Sequence, residues 1–550
     1  MNKSELFDQK SFLFYISFLK NSKNIKKAYL KSIEFNEGIL VPISKSIFTS
    51  QLKELFYEFN KKKINYKKKF FNFFHKANIG FLISNKEGKY LGIIILKKNM
   101  NKEIIDLDYV FFKTKKLNLF KVNALNTTLN WCSNTLNIKN FKIDITHNLN
   151  DFSLMQKKIL KDFSKKYNKK KKTFEIYVDK TNSTKILTAG PSISEIEKYN
   201  VYDATENGWN KNFSNYLKKF EVTFAKKVLR KYCISTSSCT GALHIALMAL
   251  DIGPGDEVIV PDITWVSTAH VVEAVGAKPI FADVNLDDWT IEIESVKKLI
   301  SKKTKVIMPV HLYGMPANCV ELKKIAIKHK IKIVEDAAPA IGASYKNISC
   351  GNLGEFSAFS FQGAKLLVTG EGGMLTTNNY KLYKKALKIS DFGRSLKKTF
   401  WIDSPGVKYK MSNIQAALGL GQLSRVNEMI RMKRKIFEWY NKYLHKHNCT
   451  LITEPENSKS IYWMTSILLK KKYDRDKLIK ILKKNKIDSR PCFPSISSYP
   501  IWKNKINKIH IKLLKNSKII SQNGINLPSG VLLREKDIKR VCKVINSFST

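Results

Sequence analysis

From residue 233 to residue 335 short apolar runs alternate with helical segments, and no other feature constrains the fold as tightly. Strand-like stretches at 233–236, 257–260, 279–283, 305–310 and 331–335 are separated by helical spacing at 242–250, 267–275, 293–300 and 320–329. Strands that are apolar on both faces, each followed by a helix, pack as a mainly parallel sheet covered on both sides. Ligands in such sheets bind beyond the carboxyl ends of the strands. Helical candidates at 193–207 and 215–229, on either side of Gly208-Trp209, lead into this region.

At 550 residues the chain suits two or three domains. The formal net charge of +51 would point to nucleic acid or an anionic membrane if it marked one face. The lysines instead run through every region, so the excess is compositional and no nucleic-acid partner is expected. The eight cysteines form no CxxC pair and no metal-ligand spacing, so neither a disulfide frame nor a zinc site is expected, which suits a reducing cytoplasm. The apolar patch at 12–19 follows Glu5 and Asp8 and lacks a small-residue cleavage site, so it is a poor signal peptide. No apolar run approaches the ~20 residues of a membrane helix.

Before residue 180 the pattern is different. Strands are expected at 79–85, 90–96 and 104–112, with a turn at 86–89, then a helix at 123–136, a strand at 141–146 and a helix at 154–167. A further helix fits 51–60. The lysine run 165–172 reads as a solvated helix end or linker, and a strand fits 173–178. This order over residues 40–170 resembles the GCN5-related N-acetyltransferase fold. That family seats the acetyl-CoA pyrophosphate on a glycine-bearing turn before its central helix. The equivalent Lys121-Val-Asn-Ala-Leu-Asn126 has no glycine. Two readings stand: an acyltransferase, or a small α/β docking domain.

After residue 350 one lysine stands apart. Lys365 lies between a strand-like run at 356–361 and the glycine-rich turn of Gly370, Gly372 and Gly373. Small and apolar neighbours make an ammonium costly there, and such a lysine has a lowered pKa and can form a Schiff base with a carbonyl. Asp336 lies just past a buried strand, where a carboxylate can pair with a protonated ring nitrogen or, equally, cap a helix. Ser237–Thr240 opens a helix with small residues that let N–H groups approach a phosphate, or simply cap it. Trp265 could stack on a flat ring or belong to the core. Ser360 could donate to the same phosphate or be an exposed hydroxyl. Together these are the parts of a pyridoxal phosphate site.

The stretches STSSCTGALHIAL, GPGDEVIVPDITWVSTAH, VHLYGMPAN, VEDAAPAIGA, FSFQGAKLLVTGEGGML, YKMSNIQAALGLGQL, SRPCFP and INLPSG resemble the DegT/DnrJ/EryC1/StrS family of sugar aminotransferases over residues 186–550. The resemblance implies fold-type I architecture: a large cofactor-binding domain at 186–420 and a small α+β domain at 421–550, after an α/β domain at 1–180. In the small domain helices are expected at 424–446, 475–485 and 535–547, with strands at 450–452 and 462–469 and another at Arg490. It also implies transamination of a nucleotide-linked 4-keto-6-deoxyhexose, most like the perosamine-forming members, with glutamate as donor and surface polysaccharide as destination. By the same resemblance Lys365 bonds the cofactor and then moves the proton, Asp336 pairs with the ring nitrogen and Trp265 stacks. Cys239, Thr240 and Ser360 hold the phosphate, Asn413 reaches the phosphate of a homodimer partner, and Arg490 lies near the substrate. Two positions depart from the pattern: Pro339 stands where many members have Gln, and Cys239 where Gly is usual. Dehydratase relatives replace the lysine by His, so Lys365 favours amino transfer. A non-catalytic regulator or scaffold with the same fold is the alternative.

Overall fold

The structure is a computed structural model. It describes residues 185–550 except 396, 446, 448, 471–473, 504–505 and 549–550, and before residue 185 only Thr128 and the backbone of eight strands. The chain divides into two compact units, Met1–Ser183 and Thr184–Thr550.

In the first unit the strands form one sheet in the order Ile33–Phe35, Gly38–Pro42, Ile79–Asn85, Tyr90–Lys98, Ile104–Phe111, Asn140–Asp144, Thr173–Tyr177, Ser164–Asn168. Ile104–Phe111 and Asn140–Asp144 run parallel, and every other neighbouring pair is antiparallel. The helix expected through residue 167 is corrected here. Residues 164–168 are a strand, with Asn168 opposite Thr173. The lysine run therefore begins inside a sheet, not in a linker. Among the described residues its strand is the outermost of the order. The helices expected at 51–60 and 123–136 and the turn at 121–126 lie outside the described residues, Thr128 apart.

The second unit is built on seven strands: β1 Tyr232–Thr236, β2 Glu257–Pro261, β3 Lys278–Ala282, β4 Thr304–Ile307, β5 Lys332–Asp336, β6 Phe356–Ser360 and β7 Gly373–Thr377. Their order is β3-β2-β4-β5-β6-β7-β1. The run from β3 to β6 is parallel, and β7 is antiparallel to both neighbours. Val258, Ile259, Val260, Val306, Ile307, Val334 and Ala358 are fully buried, which is why these strands read as unbroken apolar runs. On one face Ile234, Val258 and Phe356 pack with Ala242, Leu243 and Ala246 of helix α1, Cys239–Ala249. On the other, Ile259 and Ile307 pack with Leu322 and Ile325 of the helix Cys319–His329.

The helix expected from 424 instead spans Asn413–Tyr443 and crosses the expected domain boundary at 420. A capping box at Ser412 and Gln415 starts it early. Gly419 and Gly421, which weaken a helix on propensity alone, are contact points. A Cβ at Gly419 would come within 2.7 Å of the Phe220 ring, and one at Gly421 within 2.9 Å of Glu197. After this helix a four-stranded antiparallel sheet forms in the order Cys449–Leu451, Ser466–Leu469, Gly524–Asn526, Arg490–Pro491.

Candidate active site

β5 ends on Asp336, β6 ends on Ser360, and β1 runs through Ser237-Ser238 into α1. These three ends lie on one edge of the sheet, with β7 between β6 and β1, and bring together residues scattered over more than a hundred positions of sequence. Lys365 sits on the tight loop between β6 and β7. Its N–H donates to Gln362 O (2.8 Å), Ala364 N to Gln362 Oε1 (2.9 Å) and Gly363 N to Gly370 O (2.8 Å). The side chain is half-buried. Burial lowers its pKa, and the nearby Asp336 and Cys239 oppose that shift. An amine closely surrounded by protein but not sealed off is suited to meet a carbonyl.

Asp336 is buried. Thr268 Oγ1 donates to its Oδ2 at 2.8 Å and Ala338 N to its Oδ1 at 3.2 Å. Cys239 Sγ lies 4.0 Å from Oδ1. Burial raises the Asp336 pKa, against those two hydrogen bonds and the charge of Lys365. A carboxylate held this way gains from a cationic N–H partner. Thr268 was not singled out by sequence reasoning. Its signal was its place one helical turn after Trp265, at the start of the helix Ser267–Ala274 that follows β2.

At the start of α1, Ser238 Oγ accepts from Gly241 N (3.0 Å) and so caps the helix. The N–H groups of Cys239 and Thr240 meet no acceptor among the described residues. Thr240 is exposed and Cys239 buried. Gly373 of β7 packs against this turn so closely that a Cβ would lie 2.5 Å from Ser238 C and 2.6 Å from Cys239 N. Two free N–H groups, a neighbouring hydroxyl and the helix dipole fit a phosphate. With Asp336 for a ring nitrogen and Lys365 for an aldehyde, the donor set matches pyridoxal phosphate. Ser360 Oγ accepts from Gln362 N at 3.4 Å.

The other expected residues lie further out. Trp265 is 60% exposed, its ring 5.7 Å from that of Phe493. Arg490 is exposed on the edge strand that leads to Phe493. Asn413 is not brought to this cluster. Its Oδ1 accepts from Tyr216 N (3.0 Å) and its Nδ2 donates to Gly208 O (3.3 Å), so the carboxamide is engaged within its own chain. Tyr313, Trp463 and Phe493, none of them anticipated, form a run of rings between Lys365 and Trp265. Tyr313 stands 5.3 Å from Phe493 and 6.1 Å from Trp463, ring to ring.

Behind Asp336 lies a buried ionic cluster. Glu335 accepts from Ser357 Oγ (2.6 Å), Gly351 N and Leu353 N (2.7 Å each) and Gly354 N (3.2 Å). His311 Nε2 is 3.0 Å from Oε2, and Arg230 Nη2 is 3.6 Å from Oε1. His311 Nδ1 accepts from Ala317 N, so the ring proton sits on Nε2 and points at Glu335. Burial alone would raise the Glu335 pKa; His311, Arg230 and Ser357 hold it down at about 2.

Comparison with known proteins agrees with this geometry. The DegT/DnrJ/EryC1/StrS aminotransferase family matches residues 191–546. The chain is 36% identical over 361 residues to the GDP-perosamine synthase of Escherichia coli O157:H7, covering 65% of this chain and 97% of that protein. It is 35% identical to the GDP-perosamine synthase of Vibrio cholerae, with the same coverage. Among solved structures, the putative sugar aminotransferase Spr1654 of Streptococcus pneumoniae in its PLP-form superposes with a TM-score of 0.62 at 26% identity, over 66% of this chain and 97% of that one.

Proposed function

The chain belongs to the DegT/DnrJ/EryC1/StrS aminotransferase family, and from that premise we propose that residues 184–550 convert the 4-keto group of a nucleotide-linked 6-deoxyhexose to an amine, using pyridoxal phosphate and glutamate. The observation that carries this reading is the meeting of Lys365, Asp336 and the open N-terminus of α1 at the ends of β6, β5 and β1 of one sheet. When bound, the cofactor supplies an electron sink for the negative charge that develops at the substrate carbon.

The residues of the chain then divide the remaining work. Asp336, oriented by Thr268 and Ala338 N, keeps the ring nitrogen protonated. The N–H groups of Cys239 and Thr240, with the Thr240 and Ser360 hydroxyls, would hold the phosphate, and Trp265 would cover the ring. Lys365 would bond the cofactor and, once released, take up and return the proton at the substrate carbon, a task that suits an amine with a lowered pKa. Arg490 meets the anionic part of the substrate, and a second copy of the chain completes the site. The kinship with GDP-perosamine synthases supports a nucleotide-linked amino sugar as the product. The test is a visible cofactor band in protein incubated with pyridoxal phosphate, absent in Lys365→Ala. It is paired with mass spectrometry of products from a panel of nucleotide keto-sugars. No band, or no glutamate-dependent turnover, returns the chain to the scaffold reading.

For the first unit we propose an acyltransferase that binds acetyl-CoA and modifies the new amine. The parallel pair within an otherwise antiparallel sheet supports it, and fusion raises the amine's effective concentration. Calorimetric titration of the full chain with acetyl-CoA tests it; no heat at high ligand concentration leaves docking.

A further inference from the structure

The indole of Trp463 is fixed from several directions. Its Nε1 donates to the carbonyl of Ala364, the residue before Lys365, at 2.9 Å. Its own carbonyl accepts from Lys433 Nζ at 2.6 Å, and Lys433 makes one other hydrogen bond, to Ser529 O at 2.6 Å. Lys433 is a buried lysine on the helix Asn413–Tyr443, and no described carboxylate pairs with it. On the far side Tyr313 (φ 52°) and Gly314 (φ 91°) take left-handed conformations. A Cβ at Gly314 would lie 2.9 Å from Trp463 N, so the backbone bends there to let Trp463 in. All this anchoring presents one ring face to Lys365, whose Nζ lies 3.9 Å from its centroid. No hydrogen-bond acceptor among the described residues reaches that Nζ.

A core tryptophan needs a partner for its N–H and apolar neighbours. It does not need its face turned to an ammonium, nor a buried lysine holding its carbonyl. A cation over an indole in a poorly solvated place is stabilised where a hydrogen-bond acceptor would compete for the amine's protons. We propose that Trp463 is a positioning residue for Lys365: its indole face holds the lysine ammonium whenever that amine is free of the cofactor, and Lys433 fixes the indole. The amine thus stays beside the ring site and does not swing into solvent. The proposal rests on the reading of Lys365 as the cofactor-bonding amine, but its test does not.

The test uses full-length protein stripped of cofactor. Competitive labelling with trace acetic anhydride between pH 6 and pH 11, read at the Lys365 peptide by mass spectrometry, gives the pKa of that amine. Trp463→Leu removes the face and keeps an apolar filler, so the charged form loses its support and the pKa falls by about one unit or more. Trp463→Phe keeps a weaker face and gives less than half that shift. Lys433→Met leaves the indole intact but unbraced and shifts the pKa in the same direction. Fluorinated tryptophan, incorporated biosynthetically, drains the ring face without changing its shape; it lowers the pKa by a few tenths of a unit and serves if Trp463→Leu does not fold. Equal shifts in Trp463→Phe and Trp463→Leu, or no shift with fluorotryptophan, overturn the proposal. An unchanged titration in Lys433→Met removes Lys433 from it. If wild type and Lys365→Ala bind pyridoxal phosphate equally, the functional reading fails while the titration still judges the contact.

Discussion

Glu335→Gln probes the cluster that supports Asp336. The wild-type carboxylate accepts from three backbone N–H groups and Ser357, and faces Arg230 and His311, all without solvent. A glutamine amide turns one acceptor into a donor pointed at other donors and leaves the Arg230 guanidinium buried without its counter-charge. Breaking a buried ion pair from one side costs about 3–5 kcal/mol. The shift of the Glu335 pKa from 4.5 to about 2 gives a similar figure, roughly 3 kcal/mol. The sign follows from the depressed folded-state pKa. The stabilisation is fully present above the ordinary carboxylate range and is lost as pH falls toward 2. Thermal unfolding of the variant should therefore fall by roughly 6–10 °C, taking ~2 °C per kcal/mol for a large domain. The deficit should be the same at pH 5.5 and pH 8. Cofactor affinity should fall as well, because Glu335 holds the 351–354 turn against the end of the strand that carries Asp336. A variant as stable as wild type at pH 7, or a deficit that vanishes between pH 8 and pH 5.5, would refute the assignment of a buried charged carboxylate.

Thr268→Val keeps the shape of the side chain but removes the 2.8 Å bond to Asp336; pyridoxal phosphate affinity should fall roughly tenfold in an absorbance titration, with the melting temperature little changed. Gly373→Ala forces a methyl against the backbone of Ser238 and Cys239; it should cost about 1–3 kcal/mol in denaturant unfolding and weaken inorganic phosphate as a competitor of the cofactor. Burial lowers the Lys433 pKa to about 7, so the unfolded chain binds the extra proton between there and its ordinary value, and wild-type stability should rise relative to Lys433→Met from pH 7 to pH 10. Cys233, Cys239, Cys319, Cys350, Cys449, Cys492 and Cys542 are free and buried; a thiol reagent mapped by peptide mass spectrometry should leave them unmodified until the unit unfolds.

Local patterning determined a good deal of this molecule. Apolar runs alternating with helical spacing require a covered parallel sheet, because backbone and side-chain periodicity act over a few residues and are written in consecutive positions. The same locality made Lys365 conspicuous among so many lysines: its small and apolar neighbours lie within a few residues of it. Asp336 and the Ser237–Thr240 turn were legible for a similar reason, since each follows directly on a strand. Tertiary structure decided what no local pattern encodes. The residues 164–168 carry helical spacing but join a sheet, because pairing with Thr173–Tyr177 satisfies their backbone. Gly419 and Gly421 look like breaks until Phe220 and Glu197 fill the space that a side chain would occupy. Asn413 shows no intrachain partner in its local sequence, yet its carboxamide meets Gly208 and Tyr216, about two hundred positions away. Trp463 lies 98 positions from the lysine whose ammonium it faces, and its contact exists because the chain returns there through a left-handed turn at Tyr313 and a buried lysine at 433. Contacts between distant positions depend on volume and on donors and acceptors meeting in space, and those quantities are fixed only when the chain closes on itself.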